Sequence, residues 1–291
     1  MDVAFIGLGI MGMPMAVNLA DHGHDVRAYA RRESVRQSAR AKGLTTSDSI
    51  AGAVRGAEIV ITMLTDGAAV RDVVMSDEGV LESIDSGAVY VDMSTIAPSD
   101  WQSVLDSSRA LGLAAVDAPV SGGEQAAIEG TLSIMAGGAH EVIERVRSTL
   151  ESIGVVVRVG DEGSGQVVKA ANQLVVAGNI QLLSEALVLL DKTGVELPTA
   201  LDVLSRGLAG STVLTRKRDA FLERTYEPGF TLNLHAKDMG IVTDVARALR
   251  LSLPLTAAVT QLVNSAVATG RGNRDHSALH DLARESNGLP S

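Results

Sequence analysis

Through about residue 160 the chain alternates short, mostly apolar runs with longer stretches in which apolar positions recur every three or four residues. The short runs read as buried strands at 3–6, 25–29, 58–63 (EIVITM), 88–92 (AVYVD), 114–117, 132–136 (LSIMA) and 155–159. The stretches at 11–22, from about 33, at 66–75, 98–111 and 139–151 read as helices. Such alternation predicts an α/β domain: a doubly wound, mainly parallel sheet with helices on both faces.

Past Gly160 the rhythm changes. Residues 165–193 contain no proline and two glycines, Gly165 and Gly178, and are apolar almost all round, which predicts a long buried helix. Asn172, Gln173, Asn179, Gln181 and Glu185 make it too polar for a membrane span. Further helices are predicted at 197–206, 212–223, 235–250, 254–269 and 277–285, punctuated by Pro198, Pro228 and Pro254, with no strand among them. The second domain is therefore expected to be all-α and joined to the first by the long helix. At ~150 residues per domain, 291 residues suit two; the expected extents are 1–162 and 163–291.

Residues 3–20 form a run without charge, long enough to suggest a span or signal peptide. Gly7, Gly9, Gly12 and Pro14 punctuate it, no basic cluster precedes it, and His22, Gly23 and Asp25 follow. The expectation is an internal strand, glycine turn and helix. Its centre, Gly7-Leu8-Gly9-Ile10-Met11-Gly12, is a G-x-G-x-x-G between a predicted strand and a predicted helix. That context marks a Rossmann-type dinucleotide site. Gly7 makes the tight turn, Gly9 lets backbone approach a pyrophosphate, and Gly12 lets helix and strand pack closely. The helix N-terminus offers N–H groups and partial positive charge to the phosphates. An NAD site places an acid at the end of the second strand. Here the chain reads Tyr29-Ala30-Arg31-Arg32-Glu33, so Arg31, and after it Arg32, stand where a 2′-phosphate would sit. NADP(H) is the expected cofactor, with NAD(H) as the second possibility.

Composition narrows the classes. There is no cysteine, which excludes disulfides, thiolate zinc sites and a cysteine nucleophile and suits a reducing, cytoplasmic setting. A net charge of −10 argues against nucleic acid as partner. Seven aromatics are too few for base-stacking platforms. Of 25 basic residues 20 are Arg, so a Lys inside an apolar stretch stands out; Lys can give up its proton at accessible pH and Arg cannot.

Lys169 is such a lysine. It lies in Gly163-Ser164-Gly165-Gln166-Val167-Val168-Lys169-Ala170-Ala171-Asn172-Gln173, with Asn172 and Gln173 at i+3 and i+4 on the same helical face. A lysine among apolar neighbours suits general acid–base work; the plain alternative is one snorkelling at a helix end. Asp117-Ala118-Pro119-Val120-Ser121-Gly122-Gly123 closes another strand, and its hydroxyl and backbone N–H groups suit a carboxylate; the plain alternative is a loop-closing turn. His276 and His280 have metal-ligand spacing but no third ligand nearby, and a surface helix is expected. Asp66, Asp72, Asp77 and Glu78 are expected to be solvated charges, and no metal is expected.

Taken together, GLGIMGMPMAVNLA, DAPVSGG, GTLSIMAGG, GSGQVVKAANQ and HAKDMG, in this order over roughly 1–287, resemble the β-hydroxyacid dehydrogenase family. Within it, EGTLSIMAGG, KAANQ, YEPGFTLNLHAKD and RDHSAL are most similar to the members that reduce tartronate semialdehyde. The resemblance implies that Lys169 is the catalytic lysine and that Ser121, Gly122 and Gly123 form the substrate-carboxylate loop. It implies that Thr95 lies near nicotinamide and substrate, that Met63 and Leu64 line the cofactor, and that Lys237, followed by Asp238, reaches the cofactor side of an interdomain cleft. Many members place Asn four residues after the lysine; here Asn172 is at +3 and Gln173 at +4, leaving open which amide meets substrate. The implied reaction is hydride transfer from NADPH to an aldehyde, protonated by Lys169, giving glycerate from tartronate semialdehyde. Methylmalonate semialdehyde/3-hydroxyisobutyrate, glyoxylate and succinic semialdehyde are the alternatives, and a homodimer or homotetramer is expected. An imine reductase usually lacks the lysine, and a non-catalytic dinucleotide sensor has no need of Lys169 or DAPVSGG.

Overall fold

A computed structural model describes residues 1–290. The chain divides into two compact units, residues 1–169 and from Ala170 onward. The first unit runs β1 (Asp2–Ile6), α1 (Gly12–Asp21), β2 (Asp25–Tyr29), α2 (Glu33–Ala41), β3 (Thr45–Thr46), α3 (Ile50–Val54), β4 (Ile59–Thr62), α4 (Gly67–Val74) and α5 (Val80–Ser83). It continues with β5 (Val89–Asp92), α6 (Pro98–Ala110), β6 (Ala114–Asp117), β7 (Val120–Ser121), α7 (Gly123–Glu129), β8 (Leu132–Gly137), α8 (His140–Leu150) and β9 (Gly154–Gly160). Helix α9 (Ser164–Lys192) begins in the first unit and continues into the second.

The strand order is β3-β2-β1-β4-β5-β6-β8-β7, with β9 beside β8. Strands β3 to β6 are parallel, as expected from the pattern, but β8 runs antiparallel to β6 and β7. Along β1, Val3 and Phe5 enter one core while Ala4 and Ile6 enter the other. Ile59, Ile61, Val89 and Val91 join the first core; Val60 and Tyr90 join the second. Strands covered on both faces have no polar side, which is why they read as continuous apolar runs. The chain reverses its winding between β1 and β4, and in doubly wound sheets ligands bind beyond the strand C-termini at such a switch point.

The second unit holds the rest of α9, then α10 (Leu197–Arg206), α11 (Thr212–Glu223), α12 (Leu232–Ala248), α13 (Pro254–Ala266) and α14 (Leu279–Ser286). Helix α12 starts earlier than its apolar pattern suggests because the Thr231 hydroxyl caps it, accepting from the Leu234 N–H. After α13 one wider turn, Val267–Arg271, ends the run at Gly270, whose φ is 88°. No strand occurs here among the described residues; a single antiparallel bridge joins Thr231 and Asp275. Helix α9 is long and apolar enough to cross a membrane, yet its Ile180, Leu183 and Leu187 belong to this unit's buried core.

Candidate active site

The glycine turn forms at the C-terminus of β1. The Gly7 N–H donates to the Tyr29 carbonyl at 2.9 Å, and Gly7 has φ 104°. A Cβ there would meet the Met63 carbonyl at 2.3 Å and the Leu64 side chain at 3.0 Å, so the turn lies directly against the end of β4. A Cβ on Gly12 would lie 1.9 Å from the Gly7 carbonyl oxygen, while one on Gly9 would meet nothing within 4 Å. Leu8 is buried, and Met11 precedes the helix without a side-chain cap. Ile10 is 55% exposed on the rim. No acidic residue occupies the first turn of α1, so that helix end is left polar and positive. These features fit a dinucleotide's pyrophosphate.

Arg31 and Arg32 follow the end of β2. Both are exposed and, among the described residues, neither forms an ion pair. Glu33 is already engaged: Arg40, then Arg36, bonds its carboxyl and holds it below the ordinary carboxylate range. Arg36 also donates to the carbonyls of Ala30 at 2.7 Å and Arg31 at 3.1 Å, ordering the segment that presents Arg31. That role is invisible in sequence beyond a third arginine close by.

Two buried carboxylates organise the neighbouring strand ends. Asp92 Oδ1 accepts from the hydroxyls of Thr62 at 2.7 Å and Ser94 at 2.6 Å. Ser94 Oγ in turn accepts from the Leu64 N–H at 2.9 Å, and Thr62 is bonded to the Tyr90 hydroxyl. The end of β4, carrying Met63 and Leu64, is thus tied to the β5 end, carrying Thr95. Asp117, paired in register with Asp92, accepts from the N–H of Gly163 at 2.7 Å and of Gln166 at 2.9 Å, capping α9. Burial pushes its carboxyl up to about 7, and the repulsion from Asp92 adds to this; the N–H groups of Gly163 and Gln166 pull the other way. Neither aspartate stands out from the sequence except as an acid ending an apolar strand.

Lys169 lies on α9 beyond this cap and is 6% exposed, so it does not snorkel. Ser121 and Gly122 form the end of β7 and its exit, with φ 137° at Gly122 and 71° at Gly123, where α7 begins. A Cβ on Gly123 would meet nothing within 4 Å. In the second unit the amide of Asn172 donates to Gln173 Oε1 at 2.9 Å. Gln173, which is buried, donates to Asp238, whose carboxylate also pairs with Lys237 at 2.9 Å.

Two expectations are corrected. His276 and His280 are buried and do not sit on a surface helix. His276 belongs to a 3₁₀ turn before α14, so the helical i, i+4 geometry does not apply. Its Nδ1 lies 3.3 Å from His235 Nδ1. His280 meets the Tyr226 hydroxyl, and burial, helped by Arg284 and Arg224, lowers its pKa to about 4. Asp66 is not simply solvated: it caps α4 by accepting from the Ala69 N–H. Among the described residues no three His, Cys, Asp or Glu side chains are grouped to hold a metal.

Comparison with known proteins fits this arrangement. Residues 2–160 match the NAD binding domain of 6-phosphogluconate dehydrogenase. Residues 163–283 match the family described as NAD-binding of NADP-dependent 3-hydroxyisobutyrate dehydrogenase. The chain is 39% identical to 2-hydroxy-3-oxopropionate reductase of Escherichia coli, over 96% of each. It is 37% identical to 3-sulfolactaldehyde reductase of Escherichia coli, over 99% of this chain and 97% of that one. The crystal structure of 3-hydroxyisobutyrate dehydrogenase from Salmonella typhimurium superposes with a TM-score of 0.88 at 28% identity, covering 96% of this chain and 99% of the other. With both units matched along almost their whole length, the chain belongs to the 3-hydroxyisobutyrate dehydrogenase-like β-hydroxyacid dehydrogenases, NAD(P)-dependent oxidoreductases acting on CH–OH groups.

Proposed function

We propose that this chain is an NADP(H)-preferring reductase of a short carboxylated aldehyde, with tartronate semialdehyde and glycerate as its substrate pair. The buried Lys169, set just beyond the Asp117-capped start of α9, carries the reading. The likeness to 2-hydroxy-3-oxopropionate reductase supports the substrate. Methylmalonate semialdehyde is the second reading, favoured by the family match over residues 163–283.

The bound dinucleotide supplies the hydride. Lys169 Nζ gives a proton to the aldehyde oxygen as it becomes an alkoxide. The Ser121 hydroxyl and the N–H groups of Gly122 and Gly123 hold the substrate carboxylate, so that the carbonyl is presented in one orientation. Thr95 lies beside the reacting carbon. Asn172 orients the substrate or the lysine, and Gln173, held by Asp238, fixes Asn172 in turn. Met63 and Leu64, against the glycine turn, line the cofactor, and Lys237 borders it. Arg31, with Arg32 behind it, pairs with a 2′-phosphate.

The test is NADPH consumption with tartronate, methylmalonate and succinic semialdehydes, glyoxylate, a cyclic imine and simple alkyl aldehydes. Tartronate semialdehyde is expected to give the highest kcat/KM. Alkyl aldehydes are expected to be poorer by about 10³-fold, the loss of three charge-assisted hydrogen bonds at ~1.5 kcal/mol each. Alkyl aldehydes reacting as well as the semialdehyde acids would overturn the carboxylate loop, and the imine as best substrate would overturn the reaction class.

Cofactor choice is tested separately. NADPH is expected to exceed NADH in kcat/KM. Arg31→Ala is expected to raise the KM for NADPH by roughly tenfold or more, the worth of one charge-assisted contact, and to spare NADH. Equal use of the two cofactors by the parent would contradict the preference.

A further inference from the structure

Gln166 lies one turn before Lys169 on α9, on the same helical face, and the residue is 1% exposed. Its Oε1 accepts from the Ile96 N–H at 3.1 Å and its Nε2 donates to the Ser94 carbonyl at 2.8 Å. A backbone N–H only donates and a carbonyl only accepts, so these partners dictate which way the amide points. One side chain thereby grips the backbone on both sides of Thr95. Asp117 receives the N–H of the same residue, Gln166, together with that of Gly163. Gly165 permits the close approach: a Cβ there would lie 2.4 Å from the Met135 carbonyl and 2.6 Å from the Asp117 carbonyl. The first turn of α9 is therefore fixed to the ends of β6 and β8 and, through Gln166, to the loop after β5.

We propose that Gln166 is a positioning residue: its amide fastens segment 94–96, and with it Thr95, to the helix that carries Lys169, so that both groups meet the substrate from one rigid piece. The role presupposes that Lys169 is the proton donor proposed above. Polar residues inside a helix ordinarily face water; this one spends both halves of its amide on two backbone groups that no apolar side chain of equal length could satisfy. A displacement of about 1 Å in a reacting group is enough to cost about 10²-fold in rate.

The test uses Gln166→Met, Gln166→Glu, Lys169→Ala and the double variant Gln166→Met/Lys169→Ala in the full chain. Turnover of the aldehyde, KM, NADPH affinity by fluorescence titration and Tm are measured for each. Gln166→Met keeps the volume and loses both bonds. It is expected to lower kcat about 10- to 100-fold, with NADPH affinity within about twofold of the parent because the glycine turn is untouched. In the Lys169→Ala background the same change is expected to cost less than about twofold, since residues acting as a unit are non-additive. Gln166→Glu supplies a readout that a packing role would not move. Its protonated carboxyl can donate to Ser94 and accept from Ile96, so its kcat relative to the parent at the same pH is expected to climb as pH falls. A Gln166→Met protein with parental kcat overturns the proposal, as does one that loses Tm alone. Should Gln166→Met not fold, a pH-independent ratio for Gln166→Glu overturns it instead. An equal loss in the Lys169→Ala background, with Lys169→Ala itself impaired, overturns the coupling to Lys169. Near-normal turnover by Lys169→Ala sinks the proton-donor assignment and leaves the clamp on Thr95 to be decided by the Gln166→Met and Gln166→Glu rates.

Discussion

Lys169→Ala is expected to lower kcat by ~10²–10⁴-fold, the usual worth of general acid catalysis, while the enzyme still binds NADPH. The two effects separate because the residues proposed to hold the dinucleotide lie on the β1–α1 turn and at the β2 end, whereas Lys169 is on α9. As the alkoxide forms, a positioned ammonium stabilises the charge and then gives up its proton. Lys169→Arg is expected to rescue little, because guanidinium keeps its proton at accessible pH and needs a wider site than a 6%-exposed lysine leaves. A lysine that only packs its stem would give a different result: a modest fall in Tm and near-normal turnover for both variants. Single-turnover rates and NADPH titrations on the two proteins distinguish these outcomes. If Lys169→Arg retained most activity, the side chain would be an electrostatic anchor and Lys237 the next acid to test.

What the sequence disclosed and what it hid follow from how each feature is built. Strands β1, β4, β5 and β6 have both faces covered, so burial writes itself into the chain as unbroken apolar runs. The two-residue strands β3 and β7 are too short to carry a period, and the short helices α3, α5 and α7 span at most two turns. Strand β8 runs antiparallel to β7 after the chain returns through the short helix α7 and Gly130, whose φ is 66°, a connection with no hairpin signature in the sequence. Within the candidate site, the glycine turn and Lys169 are legible as candidates because each breaks an apolar stretch with a residue of special chemistry. Asp92, Asp117, Gln166 and Arg36 are not. Their role lies in the groups they bind, and for Asp92, Asp117 and Gln166 those include groups 30 to 72 residues away that only tertiary structure brings near. The signal for Gln166 is its spacing: a polar residue three before Lys169, on the helical face that also carries Asn172 and Gln173. His276 misled for the opposite reason, since its spacing from His280 suggested one helix and the chain makes a 3₁₀ turn between them.

Gly12→Ala is expected to damage fold and binding together, and Gly9→Ala binding alone. The added methyl at position 12 would sit 1.9 Å from the Gly7 carbonyl oxygen and 3.1 Å from the Phe5 ring. Neither neighbour can yield: Phe5 is fully buried in the core, and Gly7 is held by its bond to Tyr29 and its contact with Met63. The start of α1 must therefore move off the sheet. Overpacking of this kind costs about 1–3 kcal/mol, or a fall in Tm of roughly 2–12 °C at ~2–4 °C per kcal/mol for a domain of this size. The same shift carries the helix N–H groups away from where a pyrophosphate would bind, so NADPH affinity is expected to fall by ~10²-fold, the loss of two charge-assisted hydrogen bonds. At position 9 nothing lies within 4 Å of the new methyl, so the protein is expected to keep its Tm. The methyl projects instead into the space a phosphate would fill, and affinity falls without a stability change. Thermal melts and NADPH titrations on both variants decide the matter. Normal affinity in Gly9→Ala would show that the dinucleotide does not lie against this turn, whatever Gly12→Ala does to the fold.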